Sequence, residues 1–496
     1  MENAEKSIAR RSFFKRSAAL AGGVVTGTTL STLGAHMALA HDGRDHGRGR
    51  GADDQARRSD YGDLHRTADQ NGDVILALPK DFDYATFSKT GEAFGNGLMV
   101  PRNHDGMACF AGRGDVVRLI RNHELRNAAG DFTLGVNAPA HLRYDAKGMG
   151  GCLTLDFDTR RKRLVRQFVS IGGTFVNCSG GWSLNNSGWL TCEETVAGVN
   201  NGFEKPHGYN FLVPAGADAT VPAVALKSMG RFAHEASVAD ERGIIYQTED
   251  SGNNSGFYRF IPNDPQNLLA GGTLQMLAVT GNPTAAMFSG QIVGRRLPVS
   301  WVNIPIVDPN LEGGQPSCFA QGRAAGGAAF NRLEGVFRGE DGRSMYFIST
   351  SGGTIKAPGT SNGYGQLWHY VPADGRLQAE DQLVLVFESP SGSVLEAPDN
   401  LCLTPNGGVL FCEDDAINDA DTHALATGVT DVNRLVALGT KGEVFTFAVN
   451  VLNDSEFAGA CFSPDGEVLF VNLFGDGAPG SGMTCAIWGP WDRGPL

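Results

Sequence analysis

The sequence predicts an all-β protein: a six-bladed β-propeller with a long loop insertion over one face. Three observations carry that prediction. Glycine is the commonest residue, 67 of 496, and long amphipathic helical patterns are missing. One motif recurs along the chain, a short apolar strand, a turn, and a second apolar strand ending in polar or acidic residues. It recurs six times, and six units that cannot bury their own faces bury them by closing into a ring.

The chain begins with an export signal. Arg10-Arg11 is followed by Ser12-Phe13-Phe14-Lys15, then by the modestly apolar run "AALAGGVVTGTTLSTLGA", and Ala38-Leu39-Ala40 offers the small residues at which a signal peptidase cuts. That order predicts a removable twin-arginine (Tat) signal over 1–40, delivery by the Tat export machinery, and a periplasmic or secreted location. The run is too short and too polar to span a membrane comfortably, and nothing after it reads as a span. Residues 41–66, charged and glycine-rich with little to bury, read as a flexible linker, and 67–496 as the propeller domain.

The six units follow. They are "MACFAGRGDVVRLIRNHE" from Met107, "NCSGGWSLNNSGWLTCEE" from Asn177 and "HEASVADERGIIYQTED" from His234. Next come "EGVFRGEDGRSMYFIST" from Glu334, "NLCLTPNGGVLFCEDD" from Asn400 and "GACFSPDGEVLFVN" from Gly459. Each is a period-two hairpin with Gly, Asp or Asn at its turn. Third strands are expected at "GYNFLVP", "GFYRFIP", "GQLWHYVP" and "GEVFTFAVN". The stretch from Pro262 to Asn331 exceeds what a blade connection needs; it is expected to hold an outer strand, "GTLQMLAVT", and the long loop.

Charge and cysteine content narrow the function. Residues 1–40 hold five Lys or Arg and two Asp or Glu, so their removal leaves 36 basic against 52 acidic residues. Such a surface excludes nucleic acid as a partner and suits calcium. Nine cysteines is an odd number for an exported chain, so one thiol at least stays unpaired or binds something. Cys109, Cys152, Cys402, Cys412, Cys461 and Cys485 lie in apolar strand contexts, where a small buried thiol is the default.

Aligning the units gathers a site. The innermost strand of each blade lines the central channel, and at its start stand Asn177-Cys178, His234-Glu235, Leu333-Glu334 and Asp399-Asn400, with Glu456 and Asn103-His104-Asp105 just upstream of theirs. The ends of the next strands add Asn122-His123-Glu124, Glu193-Glu194, Glu249-Asp250 and Glu413-Asp414. Carboxylates converging in a channel raise one another's pKa unless cations neutralise them, which makes a metal cluster the direct solution. Oxygen ligands favour calcium or manganese, and the thiolate of Cys178 adds a soft ligand for iron or another transition metal. Arg332, two residues before Glu334, is expected to share its strand face and to bring a guanidinium beside the cluster.

"NCSGG…WLTCEE", "GRFAHEA", "FNRLEG", "DNLCLTPNGGVLFCED" and "FAGACFSPDGEVLFVN…AIWGPW" run in that order over nearly the whole chain after the linker. In these the chain resembles the PhoX-type alkaline phosphatases. The resemblance implies a channel holding a mixed iron–calcium cluster that hydrolyses small phosphomonoesters without a serine nucleophile. It puts the iron-binding cysteine on Cys178, bridging or ligating carboxylates on Glu235 and Glu334, and calcium-side carboxylates on Glu193, Glu194 and Asp399; the aligned second tier adds Glu124 as an expected metal ligand. Arg332 would contact phosphate and Asn177 would add an amide donor, in a protein expected to act as a monomer. Two other readings stay open at this point: a non-catalytic calcium-binding propeller, and a calcium-dependent lactonase-like hydrolase.

Overall fold

In the computed structural model the residues described are 61–95, 97–356, 362–374, 379–414 and 421–496. The six predicted hairpins all form. Their inner strands are His104–Ala111, Asn177–Trp182, His234–Ala239, Leu333–Arg338, Pro398–Leu403 and Phe457–Phe462. Each packs against the next, and the last packs against the first, so the six close a circle. Local chemistry sets the turns. Asp240 accepts the backbone N–H of Arg242 and Ile244 at 2.8 and 3.0 Å, and Asp341 does the same for Arg343 and Ser344 at 2.9 and 2.8 Å. Outward from the inner strands the sheets are antiparallel, and the core fills the gaps between neighbouring sheets. One apolar cluster joins Met107, Leu119 and Phe157 of the first sheet to Phe470 and Ala486 of the last; another joins Val238 and Phe257 to Val336, Phe347 and Trp368.

The ring is closed by the start of the chain. Strand Asp83–Phe87 pairs with Met483–Trp488 as the outermost strand of the last sheet. Leu64–Ala68 and Val74–Pro79 extend the fifth sheet beyond Val444–Asn450. Tyr61 is buried, accepts the N–H of Leu496 at 3.1 Å and donates to the carbonyl of Trp491 at 2.9 Å. Tyr61–Arg66, read from sequence as the end of a linker, are therefore built into the fold: Tyr61 supplies apolar surface that the charged run before it lacks. The signal expected over 1–40 and the linker over 41–60 lie outside the described residues.

Two further expectations change. "GTLQMLAVT" does form the outer strand Gly272–Val279, but the following stretch is more than a loop. Arg296–Asn303 is a strand pairing with both Gly272–Val279 and Asp381–Glu388, which fuses the third and fourth units into one nine-stranded sheet, and Cys318–Ala324 is a short helix. "GEVFTFAVN" is a fourth strand, because Arg434–Leu438 takes the place beside Val409–Glu413.

One irregularity is common to all six inner strands. The register slips by one residue after His104, Asn177, His234, Leu333, Pro398 and Ala458. Such a bulge bends the strand and re-aims a side chain. The first residue of each bulge is Asp105, Cys178, Glu235, Glu334, Asp399 and, in the sixth strand, Gly459. The second is small in five of the six: Gly106, Ser179, Ala236, Gly335 and Ala460, with Asn400 the exception. A Cβ on Gly106 would lie 2.5 Å from the Cα of Ser179, and one on Gly459, whose φ is +62°, would lie 2.6 Å from the carbonyl oxygen of Asp105. Gly106→Ala is accordingly expected to push neighbouring strands apart and destabilise the protein by about 1–3 kcal/mol, the usual cost of overpacking, in a denaturant titration. An unchanged midpoint would show the ring to be looser than this.

Candidate metal centre

The bulges create the site. Five of their six leading residues carry a ligand atom, and all five are at most 8% exposed. A second tier comes from the residue just after each neighbouring strand: Glu124, Glu194, Asp250, Thr350, Asp414 and Phe474. Their backbone N–H groups donate, in the same pattern six times, to the carbonyls of Asn103, Val176, Ala233, Arg332, Ala397 and Glu456 at 2.8–3.2 Å. Of those six acceptor residues, four (Asn103, Val176, Arg332 and Ala397) have φ between +40° and +57°. Asparagines brace the bulges from the next sheet. Asn122 donates to the carbonyls of Cys178 and Ser179 at 2.8 and 2.7 Å, and Asn472 donates to that of Asp105 at 2.6 Å.

Three sets of potential ligand atoms lie within 4.8 Å of one another: Asp105, Glu124 and Cys178; Cys178, Glu194 and Glu235; Glu235, Glu334 and Asp399. They share members, so they form one continuous arc around the channel. Above them opens a cavity of about 310 Å³, whose rim adds Asn103, Arg126, Arg332 and Glu456. Both carboxylate oxygens of Glu235 are buried with no hydrogen-bond partner among the described residues, as is Oδ1 of Asp105.

The electrostatics follow from this crowding. Burial first, then the charge of Asp414, lifts Glu124 to about 7 against the pull of Arg126, and burial with Asp414 lifts Asp399 to about 7 against the pull of Arg332. Asp105, Glu194, Glu235, Glu334 and Glu456 are driven well above the carboxylate range by burial and by neighbouring carboxylates, and the Cys178 thiol rises by burial and the Asp105 charge. Crowding and burial disfavour ionisation of these groups, and cations bound among them would favour it. The donor set fits metal.

The profile of the family described as alkaline phosphatase PhoX matches residues 60–477. The chain belongs to the PhoX family. PhoX alkaline phosphatases hydrolyse phosphomonoesters, and membership gives this chain that enzyme class. No curated protein matches it in sequence. Among solved structures it is similar to Pseudomonas fluorescens PhoX in complex with the transition-state analogue vanadate, at 17% identity and a TM-score of 0.61, over 89% of this chain and 98% of that one. At that identity the likeness supports the fold. A Xanthomonas campestris gluconolactonase also matches (12% identity, TM-score 0.38, 90% and 99% covered), as does the calcium-binding regucalcin of Agrobacterium tumefaciens (10%, 0.36, 80% and 94%). Such low TM-scores carry no argument.

In this PhoX chain the structure brings together Cys178, Glu235, Glu334, Asp399, Glu124 and Glu194 as the repeat alignment expected, with Arg332 beside them. Arg332 arrives by another route. It precedes its strand in a left-handed backbone conformation, so strand alternation does not place it, yet its Nη2 lies 2.8 Å from Glu334 and its Nε donates to Asp250 at 3.1 Å. Asn177 is different: its amide donates to Thr191 Oγ1 at 2.8 Å and accepts from Thr174, fully buried and outside the cavity lining. The imidazoles of His104 and His234 also turn away, onto the carbonyls of Pro101 and Gly230 at 2.9 and 3.1 Å.

Glu193 does not join the cluster either. Consecutive strand residues face opposite ways, so Glu194 faces the channel and Glu193 the sheet interior. There it accepts from the backbone N–H of Phe175, Gly208 and Tyr209 at 2.9, 2.8 and 3.2 Å, and sits 2.6 Å from His207 Nδ1. Burial disfavours a charged His207, but Glu193 and Asp145 outweigh it and hold the imidazole at about 9. That pairing stabilises the fold fully below the unfolded value near 6.5 and is lost as pH rises through 9. Glu193→Ala is expected to cost about 3–5 kcal/mol at pH 6, the penalty for breaking a buried pair, and less at pH 10, measured by denaturant unfolding. Equal losses at both pH values would contradict the ion pair. Glu413 has the same role in the fifth sheet, accepting from Glu396 N at 2.9 Å and from Arg434 Nη2 at 2.6 Å.

Sequence reasoning gave Asp105 only as an upstream neighbour and missed Arg126. Asp105 had a signal, since it occupies the same bulge position as Cys178. Arg126 had none. Its Nη2 reaches Glu124 at 2.6 Å and also pairs with Glu194, joining adjacent sheets.

Proposed function

We propose that this protein is an exported phosphatase that hydrolyses small phosphomonoesters at an iron–calcium cluster in the mouth of the propeller channel. The observation that carries the reading is Glu235: both its oxygens are buried without a hydrogen-bond partner among the described residues, and it offers a ligand atom within 4.8 Å of those of Cys178 and Glu194 on one side and of Glu334 and Asp399 on the other. An unpaired buried carboxylate is costly, and a shared cation offsets that cost. Cys178 with Asp105, Glu124, Glu194 and Glu235 offers the mixed thiolate–carboxylate set that suits iron; Glu235, Glu334 and Asp399 offer oxygen alone, which suits calcium. Bound there, the cations would supply Lewis-acid polarisation of the phosphoryl group.

The chain's own groups do the rest. Arg332 presents a planar guanidinium at the cavity, positioned by Glu334 and Asp250 to orient phosphoryl oxygens and to balance the charge that develops on them. Past the bulges the channel narrows to a space of about 40 Å³ lined by Met107, Gly180, Val238, Val336 and Leu401 among others, so substrate enters from the carboxylate side. Asn177, with its amide committed to Thr191, leaves the part of donor to the rim. Residues 1–40, the twin-arginine signal of this reading, supply the export route. Among the described residues no helix is long and apolar enough to cross a membrane, which leaves open crossing by strands.

Elemental analysis of the purified protein, with hydrolysis of p-nitrophenyl phosphate before and after chelation, tests the proposal. Iron and calcium together, with activity lost on chelation and restored by both metals, are expected. Calcium alone would favour the lactonase-like reading, and iron with calcium but no hydrolysis would defeat the phosphatase reading. Cys178→Ser is expected to lose iron while keeping calcium, because a hydroxyl is a much poorer iron ligand than a thiolate.

A further inference from the structure

Two arginines stand in the cavity lining, and they differ in what is left of them. Arg332 is held from two sides, by Glu334 and Asp250, and its side chain is 31% exposed. Arg126 is held by one terminal nitrogen only, on Glu124 and Glu194, and is 60% exposed. Its Nε and Nη1 have no acceptor among the described residues. Arg126 follows Val116–His123, the strand beside the first inner strand, and Arg332 precedes the fourth, so the two enter the mouth from sheets on opposite sides of a six-strand circle. Everything else charged at that mouth is acidic: Glu124, Glu194, Asp414 and Glu456.

A phosphomonoester enters such a mouth with its phosphoryl end toward the cluster and Arg332. Its leaving group then lies across the cavity from Arg332, toward Arg126. At about 310 Å³ the cavity is near the lower end of the range for small-molecule sites, roughly 300–1,000 Å³, so the ester is compact and its far end is still inside the lining. A neutral far end leaves the open guanidinium donors to water. An anionic one meets the single cation on that side in a fork geometry that carboxylate and phosphate both fit. Arg126 is pre-positioned for this by Glu124 and Glu194, which lowers the cost of ordering a long side chain.

We propose that Arg126 is a specificity-determining residue that selects phosphomonoesters carrying a second anionic group, a carboxylate or another phosphate, on the leaving-group side. The inference rests on the phosphatase reading above. It is tested with 3-phosphoglycerate and glycerol 3-phosphate, which differ by a carboxylate in place of a hydroxymethyl group, on metal-loaded wild type, Arg126→Ala and Arg126→Lys. Wild type is expected to favour 3-phosphoglycerate in kcat/KM by at least about tenfold, mostly through KM. Arg126→Ala is expected to lower that ratio by about tenfold or more, and Arg126→Lys to restore part of it, the size of effect expected for one charged hydrogen-bonding group. Calorimetric binding of the same two compounds gives a readout that needs no turnover, so a binding preference that depends on Arg126 in a protein without hydrolysis would support the inference while defeating the phosphatase reading. Equal losses on both compounds, no wild-type preference in either assay, or loss of metal from both variants would overturn it.

Discussion

Glu235→Gln is expected to strip metal from the channel and to cut phosphomonoester hydrolysis by at least about 10³-fold, the scale of several kcal/mol of lost charge stabilisation. The residue is 0% exposed, both oxygens lack hydrogen-bond partners among the described residues, and among those residues it is the one common to the thiolate and the oxygen-only ligand sets. Its effect on stability should have opposite signs in the two forms. With chelator, the amide relieves repulsion from Glu334 and Asp399 and can donate to them, so the variant should melt above wild type at pH 8. With metal, it should melt below. The chelated wild type should also lose stability as pH rises from about 4.5 through 7, because Glu124 and Asp399, held near 7 in the fold, must give up protons they bind more tightly there than in the unfolded chain. Scanning fluorimetry with and without metal at several pH values measures all three. A variant that keeps its metal content, or a chelated wild type insensitive to pH over that window, would contradict the proposed arrangement.

Arg332→Ala is expected to keep its metals and slow hydrolysis by about 10²-fold, as for the loss of one donor aimed at developing charge. Burial disfavours the guanidinium's charge, but Glu334 above all, then Asp250 and Asp414, keep it protonated and fixed at the cavity. Arg332→Lys should recover only part of the rate, since an ammonium on a flexible stem cannot reproduce the planar fork. Metal content and kcat/KM on one substrate decide the matter. If Arg332→Ala loses iron or calcium, the residue serves to hold Glu334, and the phosphate contact is refuted.

Much of this was readable in the sequence because the signals are local and repeated. Period-two alternation with Asp, Asn or Gly at each turn located all six hairpins, and the common position of Cys178, Glu235, Glu334 and Asp399 within the repeat drew them together. What escaped depends on backbone events that leave no mark in composition. Glu193 and Glu194 are the same residue type side by side, and only the register of their strand decides which faces the channel. The one-residue bulge that aims Asp105 is visible only as a slipped pairing. Glu456 belongs to the rim, one level away from the bulge residues with which it was aligned, while the sixth bulge position is Gly459. Arg126 becomes significant only when Glu124 and Glu194 arrive from different sheets.

The strand Asp83–Phe87, paired with Met483–Trp488, has a consequence in time. Asp83–Phe87 and Asp105 are synthesised long before Met483–Trp488, yet the sheet that locks the circle needs both strands. Until Phe457–Phe462 and Asn472 have been made, the first and sixth inner strands lack their mutual contact and nothing from the sixth sheet grips the carbonyl of Asp105. Completion of the circle therefore waits for the sixth sheet, and a truncation that removes Met483–Trp488 would act on a site whose ligands all lie upstream of the cut.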